Sequence, residues 1–374
     1  MRVLHAVTAV TPDNAFGGPL RVAVNLCREL VSRGHDCSIV SLSYGFEGPP
    51  PSEVDGIPLR LFPARRVVPA AGFSGLSSLA LATWAKKTIK DFDVVHVHLA
   101  RDLVSLPIAR MAQKSGVQTV LQTHGMVDPS QRLLAQVLDA VVTRKTLQSA
   151  SAILFLTEHE RRDLNLVAAL QPARLHRLPN GAPRQAQTPR NQSRPQVLFL
   201  GRLHPRKRPE DFVRVAAALR TRGVDADFVI AGPDEGALGS TLALIGELGL
   251  DDRVSYAGGL THEQGLSLMR ESTVYLLPSV DEPFPMTVLE AMSLAVPVVI
   301  TTSNGLAADV AQSGAGRAVP SDVALLSEAV IELLDPDANA IASKAALEIS
   351  RTRFSMNLIV DQLEGIYCQV TATN

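Results

Sequence analysis

The chain has 374 residues, 46% of them hydrophobic and 20% charged, with a net charge of −1. That length exceeds what one ordinary core holds and calls for two domains, and the balanced charge excludes a molecule built as a whole to grip nucleic acid. Cys27, Cys37 and Cys368 form neither a Cys-x-x-Cys pair nor a metal spacing, so they are expected as buried free thiols in a reducing compartment.

Apolar strand-like runs alternate with helical patterns along nearly the whole chain, which argues a parallel α/β architecture. The N-terminal segment is a short strand, Val3 to Val7, running into a loop, and it lacks the apolar core of a signal peptide. No run approaches the ~18 apolar residues that cross a bilayer. A cytoplasmic protein is expected, with peripheral contact at the inner face of the membrane left open. Gly17 and Gly18 stand in the loop after the first strand, ahead of a helix predicted over Leu20 to Ser32. Glycines there let backbone approach a ligand closely, and the helix behind them offers amides to phosphate. The pattern is not GxGxxG, which disfavours a dinucleotide-dependent dehydrogenase. Strands follow at Cys37 to Leu42 and at IPLRLF. Leu76 to Lys90 is predicted helical, with Trp84 beside Lys86, Lys87 and Lys90 and with Arg65 and Arg66 upstream. Such a face suits either an anionic membrane surface or an ordinary outer helix whose Trp84 packs on the sheet.

The strand Asp93 to Leu99 places His96 and His98 on one face by its period of two. Without acidic neighbours, these and His124 are not expected as a metal site, and the His96–His98 pair is expected as hydrogen-bonded structure. The next strand, VQTVLQ, delivers Thr123-His124-Gly125-Met126 at its carboxyl end. Ligands bind at such ends in open parallel sheets, so His124 is placed to hydrogen-bond or polarise a reacting group. A helix around Gln131 to Gln148, the strand AILFLT ending at Glu158 and Arg161, and the turn LHRLPNGA complete the first domain. The polar, aperiodic stretch at 184–195 is the linker.

In the second domain the strand VLFLG leads into a loop with Arg202 and Lys207, two cations five residues apart that suit a diphosphate. A guanidinium chelates oxygens and an ammonium adds a point charge. Farther on, Val274 to Leu277 is a buried strand, and Glu282 follows in a loop that Pro283 and Pro285 keep out of helix. From about Phe284 the pattern is helical, with Glu290 inside. The step from Glu282 to Glu290 spans at most ~12 Å if wholly helical, at about 1.5 Å per residue, which is the length of a sugar nucleotide. One carboxylate can accept from sugar hydroxyls and the other from ribose, while the amides at the helix N-terminus face the diphosphate. Helices are predicted at Val323 to Leu334 and Ala338 to Ser350, with a last one over the C-terminal residues.

The buried strand, the Pro-rich turn and EAM followed by PVV resemble the donor-binding signature of family-4 retaining glycosyltransferases. Arg202 with Lys207, and HGM followed by Asp128, resemble the same family, and the likeness covers essentially the whole chain. It implies the B-type glycosyltransferase fold, two Rossmann-like domains facing across a cleft. The first would be an acceptor-binding domain at 1–183 with a C-terminal helix at 352–374 crossing back to it. The second, at 196–351, would bind the donor. The implied activity is that of a retaining, metal-independent hexosyltransferase without a cofactor. It would move a sugar from a nucleotide-diphosphate sugar to a carbohydrate or lipid-linked acceptor, in surface polysaccharide or glycolipid assembly. The resemblance makes His124, Glu282, Arg202 and Lys207 the catalytic candidates. Arg202 and Lys207 would neutralise the diphosphate, Glu282 would orient the sugar and Glu290 would hold the ribose. His124 would border the reacting centre, with Gly17 and Gly18 as the loop beneath it. Pro283, Phe284, Pro285, Met286 and Thr287 would complete the donor site. The family usually has Gly where Arg208 stands, which leaves open whether Arg206, Lys207 or Arg208 faces the phosphate. A sugar-nucleotide epimerase or hydrolase of the same fold is an alternative, but it would need acid/base carboxylates that the first domain does not display. A catalytically silent nucleotide-sugar-binding subunit is another, and it would be marked by a decayed Glu or cation pair, whereas both are intact.

Overall fold

The computed structural model describes residues 1–12, 17–187 and 194–372. Loop positions 13–16 and linker positions 188–193 lie outside the described residues, as do 373 and 374. The chain forms two compact units, Met1–Gly181 with Met356–Asn374, and Ala182–Ser355.

The first unit is built on β1 (Arg2–Val10), β2 (Asp36–Ser43), β3 (Glu53–Val54) and β4 (Ile57–Pro63). A two-stranded ribbon, β5 (Arg65–Arg66) with β6 (Leu76–Ser77), intervenes, and β7 (Val94–His98), β8 (Gln118–Gln122), β9 (Ala152–Phe155) and β10 (Leu175–Arg177) follow. The main sheet runs β10-β9-β8-β7-β1-β2-β4-β3, parallel except at the β3–β4 hairpin. Helices cover both faces of such a sheet, so its central strands read as continuous apolar runs; β7 and β9 are buried along their whole length. The strand order reverses between β1 and β7.

The second unit carries β11 (Gln196–Leu200), β12 (Asp227–Ala231), β13 (Val254–Tyr256), β14 (Val274–Leu277), β15 (Val298–Thr301) and β16 (Gly316–Val319). All are parallel, in the order β13-β12-β11-β14-β15-β16, which is the Rossmann order. Here the reversal lies between β11 and β14. The loops leaving those two strands carry Arg202 and Lys207 on one side and Glu282 on the other.

Several local expectations need correction. Gly17 and Gly18 are not loop residues: the helix Gly17–Ser32 begins on them. Pro19 sits in its first turn, where the missing N–H would have had no intrahelical partner. The stretch 76–90 is not one helix, because Leu76–Ser77 pairs as β6 and the helix Leu79–Thr88 starts only after its cap, Ser78. Trp84 turns inward, its ring 5.6 Å from that of Phe62 with the Arg60 guanidinium 5.3 Å above it. Glu158 and Arg161 belong to the helix Glu158–Val167, not to the end of a strand. Cys27 and Cys37 are buried but Cys368 is exposed, since its neighbour Tyr367 takes the inward face of the last helix. That helix begins at Met356, after a break at which Phe354 is buried. It packs within the first unit through Arg33, which donates to Asp361 (2.6 Å), Glu364 (2.5 Å) and the Asn357 carbonyl (2.9 Å). Among the described residues no helix is long and apolar enough to cross a membrane.

Candidate active site

In the second unit the loops after β11 and β12 are pressed together. Gly232 has φ +138°, and a Cβ on it would stand 1.9 Å from the Gly201 carbonyl oxygen, so only glycine fits. Next to this contact the Arg202 guanidinium meets both Glu235 carboxylate oxygens at 2.9 Å. Pro209 opens the helix Pro209–Thr221, and a residue before proline is driven out of right-handed helical geometry. Arg208 sits at φ +55°, in the left-handed region and not in the extended one that a following proline favours, and sends its guanidinium away, to Asp211 and Ser321 at 2.5 Å each. Arg206 reaches the Asp281 carbonyl at 3.3 Å. Lys207 is left facing the loop after β14, with its Nζ 2.7 Å from Glu282 Oε2.

Glu282 is held by its neighbours. The Asp281 amide donates to Ser303 Oγ (3.0 Å), and the Glu282 carbonyl accepts from the Gly305 amide (2.8 Å). Four residues on, the helix Met286–Ser293 starts after Pro285 with no side-chain cap, which leaves first-turn amides facing outward. The fully buried Tyr275 hydroxyl ties this helix head to the cation loop, bonding the Leu200 carbonyl (2.9 Å) and Thr287 Oγ1 (2.7 Å). Glu282 and Glu290 are only 8% and 7% exposed, an unusual state for two carboxylates on one turn and helix. His262 Nδ1 lies 3.8 Å from Glu290 Oε1. Burial pushes the Lys207 ammonium below its ordinary range; Glu282 opposes that shift, and the charges of Arg202 and Arg206 reinforce it. Phe284 packs edge-on against Phe354 (6.1 Å), and Pro285 is buried. These two shape the turn, while Pro283, Met286 and Thr287 remain partly exposed on it.

In the first unit His124 follows β8 at φ +52°, a strained setting for a non-glycine residue, with Gly125 at φ +72° behind it. Glu160, 3% exposed, braces this turn on both sides. One of its carboxylate oxygens accepts from Thr123 Oγ1 (2.5 Å) and the Gly125 amide (2.6 Å), the other from the Leu156 amide (2.6 Å). Burial pushes its carboxyl up, and these three bonds pull it back down. The half-buried His124 ring ends a line whose other members are buried. Its Nε2 is 2.7 Å from His98 Nδ1, and His98 Nε2 is 3.1 Å from His5 Nδ1. His96 lies flat on His98 at 4.8 Å and bonds the Tyr367 hydroxyl at 2.6 Å. Desolvation pushes all four rings down, His5 and His124 to about 3, so they are neutral at physiological pH. Asp128 faces Arg101 (3.0 Å), which also forks onto Asp139 at 2.8 and 2.9 Å. At Gly18 a Cβ would meet nothing within 4 Å, so the fold itself does not demand glycine there.

Sequence reasoning missed Glu160, Tyr275 and Glu235. Glu160 carries a signal, because Thr157-x-x-Glu160 is a capping-box spacing and the Thr157 hydroxyl does accept from the Glu160 amide (3.2 Å). Its carboxylate is spent on the His124 turn, a tertiary use that the spacing does not announce.

The family model described as "Glycosyl transferases group 1" matches residues 183–348, and that described as "Glycosyl transferase 4-like domain" matches residues 17–181. Among curated proteins, the alpha-D-kanosaminyltransferase of Streptomyces kanamyceticus is 31% identical over 281 residues, 70% of this chain and 72% of that protein. Among solved structures, sucrose-phosphate synthase from Thermosynechococcus elongatus superposes with a TM-score of 0.79 at 18% identity, covering 100% of both chains. Anabaena HepE, solved in complex with UDP and glucose, superposes with a TM-score of 0.77 at 16% identity, over 99% of this chain and 100% of its own.

Proposed function

The chain belongs to the glycosyl transferases group 1 family and is a nucleotide-sugar glycosyltransferase of the B-type fold, and from that premise we propose a retaining, metal-independent transfer of a hexosyl unit. The donor is a nucleotide-diphosphate sugar and the acceptor a hydroxyl of a carbohydrate or lipid-linked carbohydrate, in surface polysaccharide or glycolipid assembly. The observation that carries this reading is the Lys207–Glu282 pair at 2.7 Å, set at the head of an uncapped helix where the strand order reverses. Breaking the donor's glycosidic bond puts negative charge on the departing diphosphate. Lys207, Arg202 and the amides of Met286 and Thr287 can offset that charge without a metal. Glu282 orients the sugar through its hydroxyls, and Glu290 holds the ribose. His124, with the amides that open the helix at Gly17 and Gly18, serves the reacting sugar or the acceptor.

Contact with a membrane surface is supported by an apolar stripe in the first unit. Leu133, Leu134, Val137 and Val141 are 77%, 73%, 55% and 68% exposed, beside the exposed Arg144 and Lys145. The test of the reaction is release of nucleotide diphosphate with and without acceptor, starting from UDP-sugars, together with the anomeric configuration of the product. Retention, dependence on acceptor and indifference to EDTA are expected. An inverted product, or activity lost to the chelator and restored by a divalent cation, would overturn the proposal.

A further inference from the structure

Two neutral imidazoles that hydrogen-bond share one proton along the line between them, so a chain of such rings has a direction. In the first unit the chain runs from His5 through His98 to His124. If His5 donates from Nδ1, His98 accepts at Nε2, carries its own proton on Nδ1 and donates to His124 Nε2. The His124 proton then sits on Nδ1. If the direction is reversed, His5 must carry its proton on Nε2. That atom is buried and has no partner among the described residues. A buried N–H without an acceptor is rarer in folded proteins than a bare acceptor, so the first direction is favoured.

We infer that His5 and His98 are positioning residues that set the tautomer of His124, which thereby presents Nδ1–H as a hydrogen-bond donor to a substrate oxygen and does not serve as a proton-accepting base. The rest of the turn fits that task. Glu160 fixes the backbone on both sides of His124, and the strained φ of +52° is tolerated because the ring and both flanks are held. Among the described residues no group bonds His124 Nδ1, so it is the ring's remaining polar atom. Strand register builds the line, since His5 stands opposite His96 in the β1–β7 pairing and His98 opposite Gln122 at the end of β8. Only the identity of the oxygen as one of a sugar or phosphate rests on the transfer reading above; the tautomer does not.

The test uses the full chain labelled with ¹⁵N-histidine, nine rings in all, and long-range ¹H–¹⁵N correlation at neutral pH. Single His→Gln replacements assign the signals. The expected result is a protonated Nδ1 and a bare Nε2 on His5, His98 and His124. A proton on His124 Nε2 overturns the inference; where a replacement does not fold, the ring is assigned by through-bond correlation to its own backbone resonances in the wild-type chain. In His5→Met the thioether can only accept a hydrogen bond, which opposes the wild-type direction, so His124 should shift toward the Nε2–H tautomer. In that variant kcat should fall ~10-fold, with a much smaller change in the KM for donor. A shifted tautomer with unchanged kcat would refute the positioning role. If the wild-type tautomer is as stated but no sugar is transferred to any acceptor, the function reading fails and the tautomer assignment stands.

Discussion

Glu282→Gln separates the sugar contact from the phosphate contact. In the folded chain Glu282 Oε2 is 2.7 Å from Lys207 Nζ, and the two side chains are 10% and 12% exposed. A hydrogen bond to a charged group contributes roughly 1.5–3 kcal/mol, or about 10- to 150-fold in affinity. Without the carboxylate, Lys207 is freed from its internal anion while the donor sugar loses an acceptor. Nucleotide diphosphate should therefore bind the variant as tightly as wild type or tighter, while donor binding weakens. The ratio of the two affinities should shift by about 10- to 150-fold, and thermal stability should drop by a similar free energy. With Glu282 neutral, burial and the charges of Arg202 and Arg206 act on Lys207 unopposed, so its pKa falls further. Its diphosphate affinity should then begin to decline at a lower pH than in wild type. Calorimetric titration of both ligands at several pH values measures all of this. Equal loss of nucleotide diphosphate and donor would refute the reasoning, because Glu282 would then be acting on the phosphate side.

Glu290→Gln should weaken donor and nucleotide diphosphate alike, since ribose is common to both; a loss confined to the donor would reassign it. His124→Ala should lower kcat far more than it weakens nucleotide-diphosphate binding, as measured by steady-state kinetics beside calorimetry. Gly232→Ala places a Cβ 1.9 Å from the Gly201 carbonyl and should destabilise by more than ~1 kcal/mol while displacing Arg202, read by thermal melting and nucleotide titration. For His5 the folded pKa of about 3 lies below the unfolded 6.5, so the unfolded chain binds the extra proton. Stability is intact above 6.5 and lost as pH falls, by about 2 kcal/mol at pH 5 from this ring alone, and His5→Leu should flatten that slope in acid titration. Leu133→Asp with Val137→Asp should abolish co-sedimentation with anionic vesicles while sparing donor binding; equal sedimentation of variant and wild type would remove the apolar stripe as a membrane face.

The strand, turn and helix around Glu282 were legible because their parts are local. A buried strand, a turn fixed by two prolines and a helix with a glutamate inside lie within one short stretch, and each declares itself by apolar run, backbone restriction or period. The contacts that complete it are not local. Lys207 finds Glu282 across 75 residues, and Tyr275 reaches the Leu200 carbonyl across the same separation, so neither pairing has a signal in spacing. Which of Arg206, Lys207 and Arg208 meets Glu282 depends on the backbone at Arg208, whose αL setting carries its side chain to Asp211 and Ser321. The glycine pair misled because Gly-Gly-Pro looks like a turn. Proline costs nothing in a helix's first turn, and the helix starts there. Phe284 packs on Phe354, 70 residues beyond it, a contact that its place in the motif does not announce.

In both units the strand order reverses beside the first strand, and the chain has filled those two places with opposite chemistry. Between β11 and β14 it sets cations against buried carboxylates. That region is charged, and a diphosphate can enter it by exchanging one anionic partner for another. Around β1 and β7 it sets imidazoles that burial keeps neutral, joined in a line that leaves one ring nitrogen of His124 unspent. A neutral donor held rigidly can bond a hydroxyl or a developing anion without paying to desolvate a charge of its own. The division follows from what each region has around it. Glu282 favours the charged form of Lys207 against its burial, whereas among the described residues the His124 ring bonds another imidazole, which lends a charge there no support.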